Sequence, residues 1–150
     1  MAFTTKAAAG FEGRHSMLRI LAAPILAATL HACAAPPPPP IAELAGTDWR
    51  VVTVNGQATP GGDYSMRFGA GGSFGAKFGC NSMGGSYRLT GGTLMVSGLN
   101  QTLMGCPEPA ATFETQGSAI LQQPMQVAFT SNERMSLSNA AGSITLDPVD

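Results

Sequence analysis

The stretch Ser73-Phe74-Gly75-Ala76-Lys77-Phe78-Gly79-Cys80 alternates apolar residues with polar or small ones. A period of two is typical of a β-strand with one buried face, because successive side chains on a strand point to opposite sides. The even-numbered residues of this stretch are therefore expected to share the buried face. Cys80 is the last of them, and the apolar face of a strand is where a half-cystine belongs.

The same alternation recurs in several other stretches of the chain. It covers residues 49–54, 64–68, 87–89, 94–96, 127–129, 135–137 and 144–146. In the first of these, Trp49, Val51 and Thr53 are predicted to share the buried face. Turns are predicted at Asn55-Gly56, Gly91-Gly92, Ser131-Asn132 and residues 140–142.

The segment 107–123 breaks this period and predicts a helix. Its large apolar residues recur at helical spacing, at Phe113, Ile120 and Leu121. Proline is favoured in the first turn of a helix and cannot continue one, so Pro109 indicates the start and Pro124 the end. Glu108 and Glu114 are expected to favour the N-terminal half of this helix and to lie on its solvated face.

About eight short strands and one helix predict a mainly β domain of the α+β class. An open antiparallel sheet exposes unpaired backbone groups along its edges, and closing the sheet removes them. We therefore expect a small antiparallel β-barrel or half-barrel, with the helix over an open end or face.

The beginning of the chain has the parts of a bacterial lipoprotein signal. Arg19 precedes ten largely apolar residues, 20–29, which are too few to span a bilayer. Leu30-His31-Ala32-Cys33 then resembles a lipobox, in which the cysteine is lipidated and becomes the new N-terminus. The alternative is a plain signal peptide whose cleavage site lies near a cysteine. Met17 is predicted to be the true start.

These features divide the chain into three parts. Residues 1–32 are predicted to be the signal peptide, 33–43 the lipidated Cys33 with a proline-rich linker, and 44–150 the folded domain. The five prolines 36–40 favour polyproline II, a stiff spacer of roughly 15 Å. Ala34 after the cysteine suits sorting to the outer membrane, with the domain on the periplasmic face.

Charge and histidine content exclude several functions. From Cys33 onward the chain has five basic and eight acidic side chains, a formal charge of −3 with no basic stripe, so no nucleic-acid partner is expected. The only histidines, His15 and His31, precede Cys33. Ser-His-Asp and Cys-His catalysis are thereby excluded, and the commonest transition-metal ligand is missing. We expect no cofactor, no metal and no enzymatic activity.

Cys80 and Cys106 are the two cysteines that remain beside Cys33. An even pair in an exported protein is typical of a disulfide, because that compartment is oxidising. The loop closed would span about 27 residues, for which chain entropy predicts roughly 3–4 kcal/mol of stabilisation. The alternative is a metal bound by the two thiolates, for which two further ligands are not evident.

Several of these residues occur together in an order that resembles the META domain (HslJ-like) family. The resemblance rests on Trp49, Phe68, Gly79-Cys80-Asn81, Gly84-Gly85-Ser86-Tyr87, Thr102-Leu103-Met104-Gly105-Cys106 and Glu114. It covers about residues 44–148, and Gly105 stands where members often have alanine. It implies a small β-rich domain with one helix, commonly found as an envelope lipoprotein. Members are linked to heat shock, to novobiocin tolerance and, in some parasites, to virulence or secretion.

The resemblance brings no catalytic residues and implies structural roles for the motif positions. Cys80 and Cys106 would form a bridge, Asn81 a turn, and Trp49, Phe68 and Tyr87 would be packing groups. The other structural positions of the motifs are Gly79, Gly85, Thr102, Met104 and Glu114.

The sequence thus predicts a non-enzymatic, heat-shock or stress-related lipoprotein of the outer membrane. It would be a monomer attached to the membrane by its lipid, with a protein partner in the envelope. The alternative is a binding module that inhibits a lysozyme or protease through a protruding loop, 81–86 or 98–109, or holds a small apolar ligand in the barrel mouth. A third hypothesis is an enzyme that uses Lys77 with a serine.

Overall fold

The computed structural model describes residues 44–130 and 133–149. This part of the chain forms nine strands and one helix. They are β1 Thr47–Val54, β2 Gln57–Ala58, β3 Tyr64–Phe68, β4 Ser73–Phe78, β5 Ser82–Thr90, β6 Thr93–Gln101, α1 Ala110–Leu121, β7 Met125–Phe129, β8 Met135–Asn139 and β9 Gly142–Pro148. The signal peptide, Cys33, the proline linker and the turn at Ser131-Asn132 lie outside the described residues.

Antiparallel pairing closes the sheet into a barrel. The strands pair in the order β1-β3-β4-β5-β6-β7-β8-β9, and β9 pairs back with β1. Eight strands thus form a closed ring, to which the two-residue β2 adds at the end of β1. The predicted mainly β fold with one helix is confirmed, and of the two predicted forms the sheet adopts the barrel.

The alternation predicted from the sequence holds along most strands, with one shift in β1. Tyr64, Met66 and Phe68 of β3 are all buried, as predicted. In β1 a bulge between Val51 and Thr53 interrupts the pairing with β9. An extra residue on one strand reverses the faces beyond it, so Val54 is buried in place of the predicted Thr53.

The interior of the barrel is packed with large side chains. Phe68 is fully buried, and the centroid of its ring lies 5.1 Å from that of Tyr87 and 5.7 Å from that of Phe74. Barrels of eight strands have an interior that side chains can fill. The other large, fully buried residues are Leu44, Met66, Phe78, Leu94, Phe113, Ile120, Leu121, Met125, Met135, Leu137, Ile144 and Leu146.

Helix α1 packs across the ends of β1, β4 and β9. It is shorter than predicted, with Pro109 as the residue before its first turn, and it buries Phe113, Ile120 and Leu121 as predicted. It also buries Gly117, where a Cβ atom would lie 2.5 Å from the ring of Phe78. Glycine at this position therefore lets the helix approach the barrel closely.

Ion pairs tie three strands together on the outer surface. Asp147 of β9 accepts hydrogen bonds from Arg134, the residue before β8, at 2.6 Å, and from Arg50 of β1, at 3.1 Å. The Arg134 hydrogen bond is the main reason why the pKa of Asp147 lies below its ordinary value, and Arg50 adds to the effect.

The lowered pKa of Asp147 predicts a specific loss of stability in acid. A carboxyl group whose pKa is depressed by folding stabilises the protein fully above its unfolded pKa of about 3.9 and loses this contribution as the pH falls through the folded value. Asp147→Asn should therefore lower the free energy of unfolding at pH 7 and have a smaller effect near pH 2. Urea titrations at the two pH values measure the difference. An equal effect at both would contradict the prediction.

Asp63→Asn is a suitable control. It removes the ion pair between Asp63 and Lys77, in which the Asp63 side chain is 66% exposed. Pairs at such exposure contribute little because water and salt screen them. The free energy of unfolding of this variant should stay close to that of the wild type at pH 7.

Candidate functional site

The segment that joins β6 to α1 carries the most exposed large apolar side chains of the described residues. We call residues 102–109 the β6–α1 loop. Leu103 is 88% exposed and Met104 58%. The backbone of residues 102–106 forms neither helix nor strand and stays outside the left-handed region. The loop thus presents two apolar side chains on a backbone that belongs to no regular element.

A disulfide joins this loop to the chain that follows β4. It links Cys80 to Cys106, as the sequence predicts. Cys80 is only half-buried, because β4 ends at Phe78 and Gly79 turns the chain with a φ of 106°. A Cβ atom at Gly79 would lie 2.7 Å from the Tyr64 hydroxyl, so glycine suits both the conformation and the space.

Asn81 is the one buried polar side chain in the part of the chain that the structure describes, with 2% exposure. Its Oδ1 atom accepts hydrogen bonds from the Met104 N–H and the Thr102 hydroxyl, both at 2.8 Å. Its Nδ2 group donates to the Met104 carbonyl at 3.1 Å and to the Glu114 carboxylate at 2.8 and 2.9 Å. Asn81 thus braces the β6–α1 loop, a role beyond the turn that the family resemblance implies for it.

The sequence predicts Glu114 on the solvated face of the helix, but its carboxylate points toward Asn81. Besides the Asn81 side chain, its carboxylate accepts hydrogen bonds from the Asn81 N–H at 3.3 Å and from Gln101 Nε2 at 3.2 Å. The residue is half-buried because the first turns of α1 lie against the chain after β4. The sequence carries no local signal for this role of Gln101.

The cysteine sulfurs and the Glu114 carboxylate also form a cluster of potential metal ligands. Their ligand atoms all lie within 4.8 Å of one another. Only thiolates bind metals well, and the two sulfurs are joined to each other. The geometry therefore favours the disulfide over the metal alternative.

The remaining predicted residues lie away from the loop. Phe68 and Tyr87 pack in the core. Trp49 packs edge-to-face on Phe129 at 6.2 Å. Gly85 lies beside the β5–β6 bulge, where a Cβ atom would be 2.7 Å from the Ser97 carbonyl oxygen.

Two other sites predicted from the sequence, the loop 81–86 and the pair of Lys77 with a serine, do not have the predicted geometry. Residues 81–86 do not protrude, because β5 begins at Ser82 and pairs there with β4. Lys77 donates a hydrogen bond to Asp63 at 2.8 Å. Among the described residues no serine hydroxyl is bonded to Lys77.

Within the described ranges, no helix combines the length and the apolar character needed to cross a bilayer.

The same barrel with one helix occurs in solved structures. One, an NMR structure of a protein, has a TM-score of 0.63 and 24% identity, over 72% of this chain and 93% of that chain. Another, an NMR structure of a protein from Burkholderia xenovorans, has a TM-score of 0.60 and 23% identity, over 83% and 99%. The META domain family model matches residues 42–147, and the chain therefore belongs to the META domain family. No match was found among curated proteins.

Replacing Asn81 should release the loop and destabilise the fold. Asn81→Ala removes the part-buried acceptor of the Met104 N–H and the strongest donor to the half-buried Glu114 carboxylate, which keeps its bonds to the backbone N–H of residue 81 and to Gln101. Each such loss costs about 1–3 kcal/mol. We expect the free energy of unfolding, measured with urea, to fall by about 2–4 kcal/mol. A loss below about 0.5 kcal/mol, the range of surface changes, would show that Asn81 does not brace the loop.

Asn100→Ala is the matched control. Asn100 is exposed, and its amide donates to the carbonyl of Gly98, two residues away. Its loss should change the free energy of unfolding by less than about 0.5 kcal/mol.

Proposed function

We propose that this chain is a lipid-anchored envelope lipoprotein whose META domain works by binding and not by catalysis. It is held in the outer membrane by the lipid on Cys33, faces the periplasm and supports tolerance to heat and to hydrophobic antibiotics. The observation that carries the binding role is the β6–α1 loop. There Leu103 and Met104 are exposed on a backbone that Asn81 and the disulfide hold in one conformation.

Export is supported by the chemistry of the cysteines. The apolar run before Cys33 resembles a signal peptide, and disulfides persist in oxidising compartments. The Cys80–Cys106 bridge fits the same location. Several acyl chains on one terminus would make the attachment effectively permanent, since each buried CH₂ contributes about 0.8 kcal/mol.

A binding role is also favoured by the state of the residues and the cavity that could have supported catalysis. No histidine follows Cys33, and the Lys77 ammonium is paired with Asp63. The barrel interior is occupied by core side chains, which leaves the outer surface for recognition. An apolar ligand in the barrel mouth is less favoured for the same reason. Inhibition of an enzyme by the loop is the second candidate function, and the bracing of Leu103 and Met104 favours it.

Lipidation is tested by labelling cells with radioactive palmitate and separating their membranes. The wild-type chain should carry label and sediment with the outer membrane, whereas Cys33→Ser should carry no label. The double variant Cys80→Ser/Cys106→Ser is the control, and it should keep the label because its Cys33 is intact. Label on the Cys33→Ser chain, or wild-type protein recovered from the cytosol, would contradict the anchor.

The role of the loop in stress tolerance is tested by complementing a deletion strain. The strain should be more sensitive to heat and to novobiocin, and the wild-type gene should restore growth. Leu103→Asp/Met104→Asp should fail to restore it, because aspartates replace the apolar contacts without touching the core. Met95→Asp, at a residue 47% exposed on β6, should restore growth fully. A deletion strain with unaltered sensitivity would exclude the role in tolerance.

A further inference from the structure

Leu103 combines the greatest side-chain exposure of the large apolar residues with a free backbone. Its side chain is 88% exposed. Neither its N–H nor its carbonyl is hydrogen-bonded to another described residue. The backbone of Leu103 is therefore available to pair with an extended binding cleft, and its side chain is available to enter a pocket.

The residues on both sides of Leu103 are hydrogen-bonded to the buried side chain of Asn81. Thr102 donates its hydroxyl to Asn81 Oδ1, and Met104 is bonded to the same amide through both its N–H and its carbonyl. Two residues further on, Cys106 is fixed by the disulfide. In the peptide bond between Leu103 and Met104, the N–H is thus held by Asn81, and the Leu103 carbonyl is left without a partner among the described residues.

We propose that the β6–α1 loop is an inhibitory loop for serine endopeptidases with an apolar primary pocket. Leu103 enters the pocket, and the Leu103–Met104 bond is the one offered to the protease. The proposal rests on the binding role proposed above and names the class of partner. A loop already fixed in its bound conformation loses little entropy on binding, and protease–inhibitor complexes typically form with little backbone movement.

The bracing also explains why such a loop would inhibit and not be consumed. The protease serine hydroxyl adds to the Leu103 carbonyl carbon, the Leu103–Met104 bond breaks, and the hydroxyl proton ends on the new Met104 amine. Asn81 still holds Thr102 and Met104 on either side of the break. The amine therefore stays beside the ester, attacks it, re-forms the peptide bond and returns the proton to the serine.

The type of protease follows from the side chain. Leucine fits the hydrophobic pocket of chymotrypsin and has no charge for the acidic pocket of trypsin. The nearest ionisable side chain of the network, Glu114, is directed inward to Asn81. Residues 102–106, around the bond offered to the protease, carry no charged side chain, as a hydrophobic pocket requires.

The test uses the full chain, purified in detergent, against chymotrypsin, subtilisin and trypsin with chromogenic substrates. The wild type should inhibit chymotrypsin and subtilisin at micromolar concentration or below and leave trypsin active. Leu103→Arg should weaken inhibition of chymotrypsin about 100-fold and create inhibition of trypsin. Since Leu103 is almost fully exposed, this variant does not depend on refolding of the core. Met95→Arg is the control and should behave as the wild type.

Asn81→Ala provides a second readout. If circular dichroism shows a folded barrel, this variant should be cut by chymotrypsin after Leu103 and stay cut, with the new ends identified by mass spectrometry. The wild type should remain largely intact over the same period.

Two results would overturn the proposal. One is full activity of chymotrypsin and subtilisin at tens of micromolar wild-type chain, with no trypsin inhibition by Leu103→Arg. The other is inhibition of lysozyme in place of the proteases. If either occurs while Leu103→Asp/Met104→Asp still fails in complementation, the binding role stands and only the class of partner is wrong.

Discussion

Asn81 has its side-chain amide buried, and burial obliges both ends of that amide to find hydrogen-bond partners inside the protein. Those partners are Thr102 and Met104 on the loop and Glu114 on the helix. Because each of them would lose its bond if the loop moved, one satisfied side chain fixes the loop to the helix. The exposure of Leu103 on a rigid backbone is a consequence of this arrangement.

The barrel and the helix supply the geometry that the Asn81 network needs. Glycine at position 117 lets α1 lie on the ring of Phe78, and glycine at position 79 leaves room for Ala110 in the first turn of the helix. With side chains at these positions the helix would have to move outward. Glu114, one turn beyond Ala110, would then lose the close approach to Asn81 that the hydrogen bonds require.

Much of the fold could be predicted from the sequence because each strand carries its own alternation, as Tyr64 and Met66 show. What could not be predicted depends on contacts between distant segments. The bulge that buries Val54 instead of Thr53 is defined only by the pairing of β1 with β9. Asn81 has the local propensity of a turn residue, and its burial follows from the approach of α1 and the β6–α1 loop. The family motifs brought Asn81, Met104 and Glu114 together as a set, but gave no geometry for them.

The disulfide and the Asn81 hydrogen bonds restrain the β6–α1 loop by different physical effects, and each restrains what the other does not. The Cys80–Cys106 bridge restricts mainly the unfolded chain and fixes a single point of the folded loop. The hydrogen bonds of Asn81 act only in the folded state and fix Thr102 and Met104, the residues that flank Leu103. The bridge alone would leave residues 102–105 free to move relative to Cys106. Hydrogen bonds alone would have to offset the full entropy of ordering the loop. Because disulfides form and persist in oxidising environments, the rigidity that the bridge adds to the loop depends on the redox state of its surroundings.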